Sequence, residues 1–218
     1  MNDLLVVIPA LNEEKSIGRL LNKIIPKFNI LVVSDGSTDK TVEISESCGA
    51  KVLPFKSHKG YDKVISEGFS YAAAKGYKKI ITFDADGQHD VKDLSKIAEI
   101  MNESNIDIVV PQRLNVTRIS EKLFSWYTNK QLNVPDLLSG MKGYKINLFL
   151  EYGAFDTFSS IGTELCFFAI KKKFSYKLIN IVTKKREDKP RFGGAFLSNF
   201  KIIRALLILI YKNSFKKI

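Results

Sequence analysis

Short apolar runs alternate with helical patterns through the first half of the chain. The runs are LLVVIPA (4–10), ILVVSD (30–35), AKVLPF (50–55), KKIITFD (78–84) and DIVVP (107–111). After the first, Ile17, Leu20, Leu21, Ile24 and Ile25 recur at helical spacing, and further helices are predicted over about 39–47, 61–75 and 91–102. The apolar runs are continuous rather than alternating, as in strands covered on both faces. Five such repeats predict an α/β fold with an open, doubly wound, mostly parallel sheet. Ligands of such sheets bind beyond the carboxyl ends of the strands. Polar groups fall at those ends: Asn12 and Glu13, Ser34 and Asp35, Asp84 and Asp86, and Arg113.

The second half has a weaker pattern. A polar, aromatic stretch (112–137) leads to LLSGMKGYKINLFLEY; a helix is predicted over about 162–173, a strand over 176–184 and a helical tail after the loop REDKPRFGG. In the tail Leu197, Phe200, Ile203, Leu207 and Ile210 recur every three to four residues, with Lys201 and Arg204 between them. The expected division is one domain over 1–195 and an amphipathic helix over 196–218, which lies on a membrane surface or in an interface.

A chain of 218 residues with 45% hydrophobic content suffices for one packed α/β domain. Cys48 and Cys166 have no metal-site or redox spacing and read as reduced thiols. The start, MNDLLVVIPALNEE, has no basic leader and reads as a strand rather than a signal peptide. The net charge of +11 suits nucleic acid, an anionic membrane or phosphorylated substrates. No zinc-finger or RNA-binding aromatic motif accompanies it, so nucleic acid is not expected.

FDADGQHD (83–90) brings Asp84 and Asp86 together where a strand runs out. Two carboxylates so placed can share a hard divalent cation that also meets substrate phosphates. Solvated capping residues are the alternative, a role that suits Asp90 better. In VVSDGSTDKT (32–41) a capped turn accounts for Gly36, Thr38 and Asp39, whereas Asp35 could accept hydrogen bonds from a nucleotide base.

VVIPALNEE, VVSDGSTDKT, FDADGQHD and SGMKGYKINL stand in the order and spacing of family 2 glycosyltransferases. The chain resembles their dolichyl-phosphate mannosyltransferase-like, or polyprenyl-phosphate, branch. The resemblance implies a GT-A fold, a GDP- or UDP-linked sugar donor, Mg²⁺ or Mn²⁺, and inversion at the anomeric carbon. It implies that Pro9, Ala10, Leu11, Glu13 and Asp35 hold the nucleoside, and that Asp84, Asp86 and Gln88 serve metal and diphosphate. Arg113 would face phosphate or sugar, Ser139 and Gly140 the donor sugar, and Lys63 the phosphates unless it is a solvated helix lysine. Glu164 corresponds to an acidic position near the acceptor and would act as general base toward a hydroxyl. The branch's acceptor loop lacks its Ser-Lys pair here, leaving Arg186, Arg191 or Lys201 for an acceptor phosphate.

The expected reaction is transfer to polyprenyl phosphate, or else to a hydroxyl of a lipid-linked or cell-surface glycan. The expected location is the cytoplasmic face of a membrane, held peripherally; a homo-oligomer is compatible. A sugar-nucleotide pyrophosphorylase would need a Gly-rich loop where PALNEEKS stands, and a receiver domain would leave residues after about 120 unexplained. No role is expected for His58 or His89, and Trp126 with Tyr127 reads as core packing or a lipid or acceptor contact.

Overall fold

The computed structural model describes residues 3–103, 105–116, 118–184 and 195–215. The strands are β1 (Leu4–Ala10), β2 (Asn29–Ser34), β3 (Lys51–Pro54), β4 (Lys79–Thr82), β5 (Ile108–Arg113), β6 (Lys142–Lys145) and β7 (Tyr176–Ile181). The helices are α1 (Ile17–Ile24), α2 (Thr41–Ser47), α3 (Tyr61–Ala74), α4 (Val91–Asn102), α5 (Ile119–Leu132), α6 (Ile146–Tyr152), α7 (Glu164–Lys171) and α8 (Ala195–Phe215).

The strands form one sheet in the order β3-β2-β1-β4-β6-β5-β7. All pairings are parallel except those of β6, which runs antiparallel to β4 and β5. Along β1 the side chains alternate: Leu5 and Val7 enter one core, Leu4, Val6 and Ile8 the other. The first core is closed by α3, α5, α6, α7 and α8 through Phe69, Phe124, Leu148, Phe167 and Leu206 among others. The second is closed by α1 and α4 through Leu21 and Ile97. The doubly wound, mostly parallel sheet expected from the apolar runs is therefore present.

Three elements depart from the sequence reading: α5, β6 and the short α6, for which no helix is predicted. α5 fills part of the stretch left as polar and aromatic: it buries Phe124 and Tyr127 but exposes Ile119, Leu123 and Trp126 on its other side. With apolar residues on opposite sides, no single stripe marks the helix. β6 is the second. Gly143 sits in it because a Cβ there would lie 2.8 Å from Ile97 and 3.0 Å from Met101 of α4. A four-residue strand with glycine at its centre carries no strand signal of its own.

The chain winds outward from β1 to β3 and then crosses to β4 on the far side of β1. This switch point places the ends of β1, β2 and β4 around one crevice.

Candidate active site

At the end of β4, Asp84 is partly exposed, Ala85 is buried and Asp86 is partly exposed. An Asp86 oxygen accepts the Gln88 amide at 3.1 Å, fixing the turn after Asp86. Asp90 caps α4, accepting the Lys92 amide at 3.0 Å, as its position in the sequence suggested. Because β6 runs beside β4, the turn Ser139–Gly140 arrives next to Asp84. Thr82 Oγ1 donates to the Gly140 carbonyl at 2.6 Å and accepts the Lys142 amide at 3.1 Å. A Cβ on Gly140 would lie 2.0 Å from Asp84 Oδ2, so only glycine lets this carboxylate lie against the turn.

No cluster of three His, Cys, Asp or Glu side chains capable of holding a metal occurs among the described residues. The Asp84–Asp86 pair suits an ion that takes its remaining ligands from waters and substrate phosphates, as Mg²⁺ habitually does.

Asp35, buried at the end of β2, receives the Lys59 amide at 2.6 Å, the Gly60 amide at 3.0 Å and His58 Nδ1 at 2.7 Å. Three donors leave such a carboxylate about one free lone-pair site. His58 is exposed and can yield another. Glu13 is buried, accepts from Ser16 Oγ at 2.6 Å, and its carbonyl accepts the Ile17 amide at the head of α1 at 2.9 Å. Pro9 and Leu11 are half-buried, Ala10 is buried, and Lys63 stands exposed on α3. Among the glycines of the α3 segment, Gly68 serves the packing of α3 on β1, since a Cβ there would lie 2.4 Å from Val7 Cγ1.

Arg113 ends β5, but its guanidinium is engaged. It donates to Asp136 from Nε at 2.7 Å and Nη2 at 3.1 Å, and to Glu121 from Nη1 at 3.2 Å. Burial works against its charge, and the two carboxylates outweigh burial and raise its pKa. Glu164 is equally engaged: it accepts from Tyr152, from the Thr157 amide and hydroxyl at 2.8 Å each, and from Lys212 of α8 at 2.5 Å. Burial opposes its charge as well, but these bonds, that from Lys212 foremost, hold its pKa below the ordinary value. Lys201 is exposed on α8, and Arg186 and Arg191 lie outside the described residues.

Three residues at the site carried no expectation. His89 is buried with Nε2 3.6 Å from Asp84 Oδ2. Tyr61 donates to the Gly140 carbonyl at 3.3 Å, and burial, followed by the Asp84 charge, keeps its phenol protonated. Lys142 is buried, with its ammonium 2.6 Å from the Ser139 carbonyl and 3.4 Å from that of Gly162. Burial pushes its pKa down, while Cys166, Asp136 and Asp84 oppose that shift. The SGMKG motif marks Lys142 in the sequence; nothing there marks its burial.

Asp62, in the first turn of α3, has its pKa raised to about 7 by burial and then by the nearby Asp156. Its Oδ1 is buried without a partner. The folded protein thus binds this proton more tightly than the unfolded chain, and the stability Asp62 contributes declines as pH rises from about 4 to 7. Asp62→Asn is predicted to stabilise the protein at pH 8 by about 2–4 kcal/mol and to be near neutral at pH 4. Urea midpoints at the two pH values measure this, and an equal effect at both would contradict it.

Residues 5–177 match the family described as Glycosyl transferase family 2, and the chain belongs to that family. An uncharacterised protein of Methanocaldococcus jannaschii is 38% identical over 115 residues, which cover 52% of this chain and 47% of that protein. An undecaprenyl-phosphate mannosyltransferase of Micrococcus luteus is 25% identical over 160 residues, or 65% of each chain. The chain thus spans about half to two thirds of these relatives' length. A crystal structure of glucosyl-3-phosphoglycerate synthase from Mycobacterium tuberculosis, in complex with Mg²⁺ and uridine diphosphate, superposes with a TM-score of 0.74. It is 20% identical, and the match covers 94% of this chain and 78% of that one; at this identity it speaks to the fold, which is GT-A. Membership in this family sets aside the pyrophosphorylase and receiver readings. No helix among the described residues is long and apolar enough to cross a membrane.

Proposed function

We propose that the chain is an inverting, metal-dependent transferase that moves a sugar from a nucleoside-diphosphate sugar to a polyprenyl phosphate. The observation that carries this reading is the Asp84–Asp86 pair at the end of β4, with Gly140 backbone pressed against the Asp84 carboxylate. Asp84, Asp86 and Gln88 would hold Mg²⁺ or Mn²⁺, which when bound offsets the charge developing on the leaving diphosphate. Pro9, Ala10, Leu11, Glu13 and Asp35 would hold the nucleoside, Asp35 with its remaining lone pair. Ser139 and Gly140 border the donor sugar, and Lys63 stands toward the phosphates.

A phosphate acceptor is favoured over a hydroxyl by the state of Glu164. Its carboxylate is paired with Lys212 and filled by Tyr152 and Thr157 donors, a poor arrangement for taking a proton. A phosphate monoester brings an oxygen already anionic near neutral pH and asks for no base. The name of the Micrococcus luteus relative supports the same acceptor class. Arg186, Arg191 and Lys201 remain the candidates for meeting that phosphate, and Arg113 contributes by holding Asp136 and Glu121.

α8 and α5 support a peripheral position on an anionic membrane, with residues 196–218 as the membrane element of the 1–195 domain. Phe196, Phe200, Leu207 and Tyr211 on α8 and Ile119, Leu123 and Trp126 on α5 are exposed. Lys122, Lys130 and Lys201 are exposed on the same two helices. Such a surface buries apolar side chains at the headgroup boundary while its cations meet acidic lipid.

Nucleoside-diphosphate release with Mn²⁺ or Mg²⁺ across a panel of GDP- and UDP-sugars is the test. Release is predicted to depend on a short polyprenyl phosphate; release stimulated only by sugar hydroxyls would overturn the acceptor assignment. Binding to anionic vesicles that weakens with salt and fails on deletion of 196–218 is expected, and its absence at low salt would remove the membrane element.

A further inference from the structure

The loop between α6 and α7 adjoins the candidate site and is shaped against backbone preference. Ser159 (φ 54°) and Ile161 (φ 60°) both occupy the left-handed region, which a β-branched residue such as isoleucine disfavours. Such residues persist only where surrounding contacts over-determine them. Here the contacts come from several sides. Asp156 accepts the Phe158, Ser160 and Gly162 amides at 3.1, 2.9 and 3.2 Å. Lys142, already bound to the Ser139 carbonyl, reaches the Gly162 carbonyl and so ties this loop to the turn beside Asp84. The Tyr61 ring lies within 3.1 Å of where a Gly162 Cβ would stand.

The remaining contacts come from α8. Arg204 Nη1 donates to the Phe158 and Ser159 carbonyls, both at 3.3 Å. Lys212 donates to Thr157 Oγ1 at 2.9 Å and to Glu164, and its ammonium sits 3.9 Å over the Phe158 ring. The same helix buries Ile202, Ala205, Leu206 and Leu209 in the core shared with α5 and α7. Exposed Arg204 and buried Lys212 of this helix thus both reach a loop of the site.

We propose that Arg204 and Lys212 are positioning residues: α8 holds the 157–163 loop in the shape that receives the acceptor. Glu164 serves in this arrangement as the buried partner of Lys212. The proposal rests on the transferase reading above but adds a division of labour to it. The nucleotide end of the site is built from β1, β2 and β4, whereas the bonds of Arg204 and Lys212 go to the loop that Lys142 ties to the Ser139–Gly140 turn. Loss of the α8 contacts therefore disturbs acceptor capture and leaves donor capture in place.

Arg204→Gln removes the bonds to the loop carbonyls at an exposed side chain. Lys212→Met combined with Glu164→Gln removes both members of the buried pair together, so no unpaired buried charge remains. Each is expected to raise the KM for polyprenyl phosphate about tenfold or more while the donor KM stays within about twofold. Lys212→Arg, which keeps the charge, is expected to retain most of the acceptor affinity. Amide hydrogen exchange over 157–163 is expected to accelerate in the first two variants. Unchanged acceptor KM, equal rises for donor and acceptor, or unchanged exchange would each overturn the proposal. Should the double variant not fold, Arg204→Gln decides alone. Should the wild-type chain transfer no sugar, the transferase reading falls and hydrogen exchange still decides whether α8 holds the loop.

Discussion

Asp84→Asn and Asp86→Asn are each expected to lower sugar transfer by at least about 10³-fold, with the thermal midpoint changed by only a few degrees. An amide keeps the volume of the carboxylate and loses its charge, so packing survives and the affinity for a hard cation does not. Asp84 is the more sensitive of the two, because it lies against Gly140 and within 3.6 Å of His89. Calorimetric titration of Mn²⁺ in the presence of a nucleoside diphosphate gives a readout independent of turnover. Wild-type rates in both variants, or indifference to EDTA, would remove the metal from the mechanism.

Gly140→Ala is expected to cost transfer about 10²-fold, although it adds one methyl group. The new Cβ would meet Asp84 Oδ2 at 2.0 Å and Cγ at 2.8 Å. The obstructing atoms belong to a side chain rather than to backbone, so Asp84 turns away and the fold remains. Stability is expected to change by less than about 1 kcal/mol. A variant that folds, binds Mn²⁺ with the nucleotide as well as wild type and transfers normally would show that the contact is incidental.

The parallel half of the sheet was legible because each of its strands is covered on both faces and therefore carries an unbroken apolar run. The same continuity made Asp35, Asp84 and Arg113 conspicuous at the strand ends. α5 and β6 were hidden for opposite reasons: α5 has too many apolar faces, and β6 is too short and contains Gly143 where α4 presses on it. Both misses bear on the site. β6 is what brings Gly140 and Lys142 to Asp84, and α5 is the helix on which α8 packs. Sequence pattern also reveals a charged side chain without revealing its partner. Arg113 and Glu164 looked available for chemistry because Asp136, Glu121 and Lys212 lie 23, 8 and 48 residues away from them along the chain. The resemblance singles out residues at the strand ends, while the pairing of their charges is visible only in the fold.

The antiparallel insertion of β6 also fixes an order of assembly. Strands β1 to β4 are complete once Thr82 has been made, and of these four β4 alone has a later partner among the described residues. The free edge of β4 then waits for Lys142, roughly 60 residues later, an interval of about 3–12 s at ordinary rates of synthesis. β5 emerges within that interval with neither neighbour present, since its partners among the described residues are β6 and β7. The nascent chain therefore carries an open parallel edge and an orphan apolar strand at the same time, a combination that templates association between chains. The interval ends when a four-residue strand, glycine at its centre, closes both.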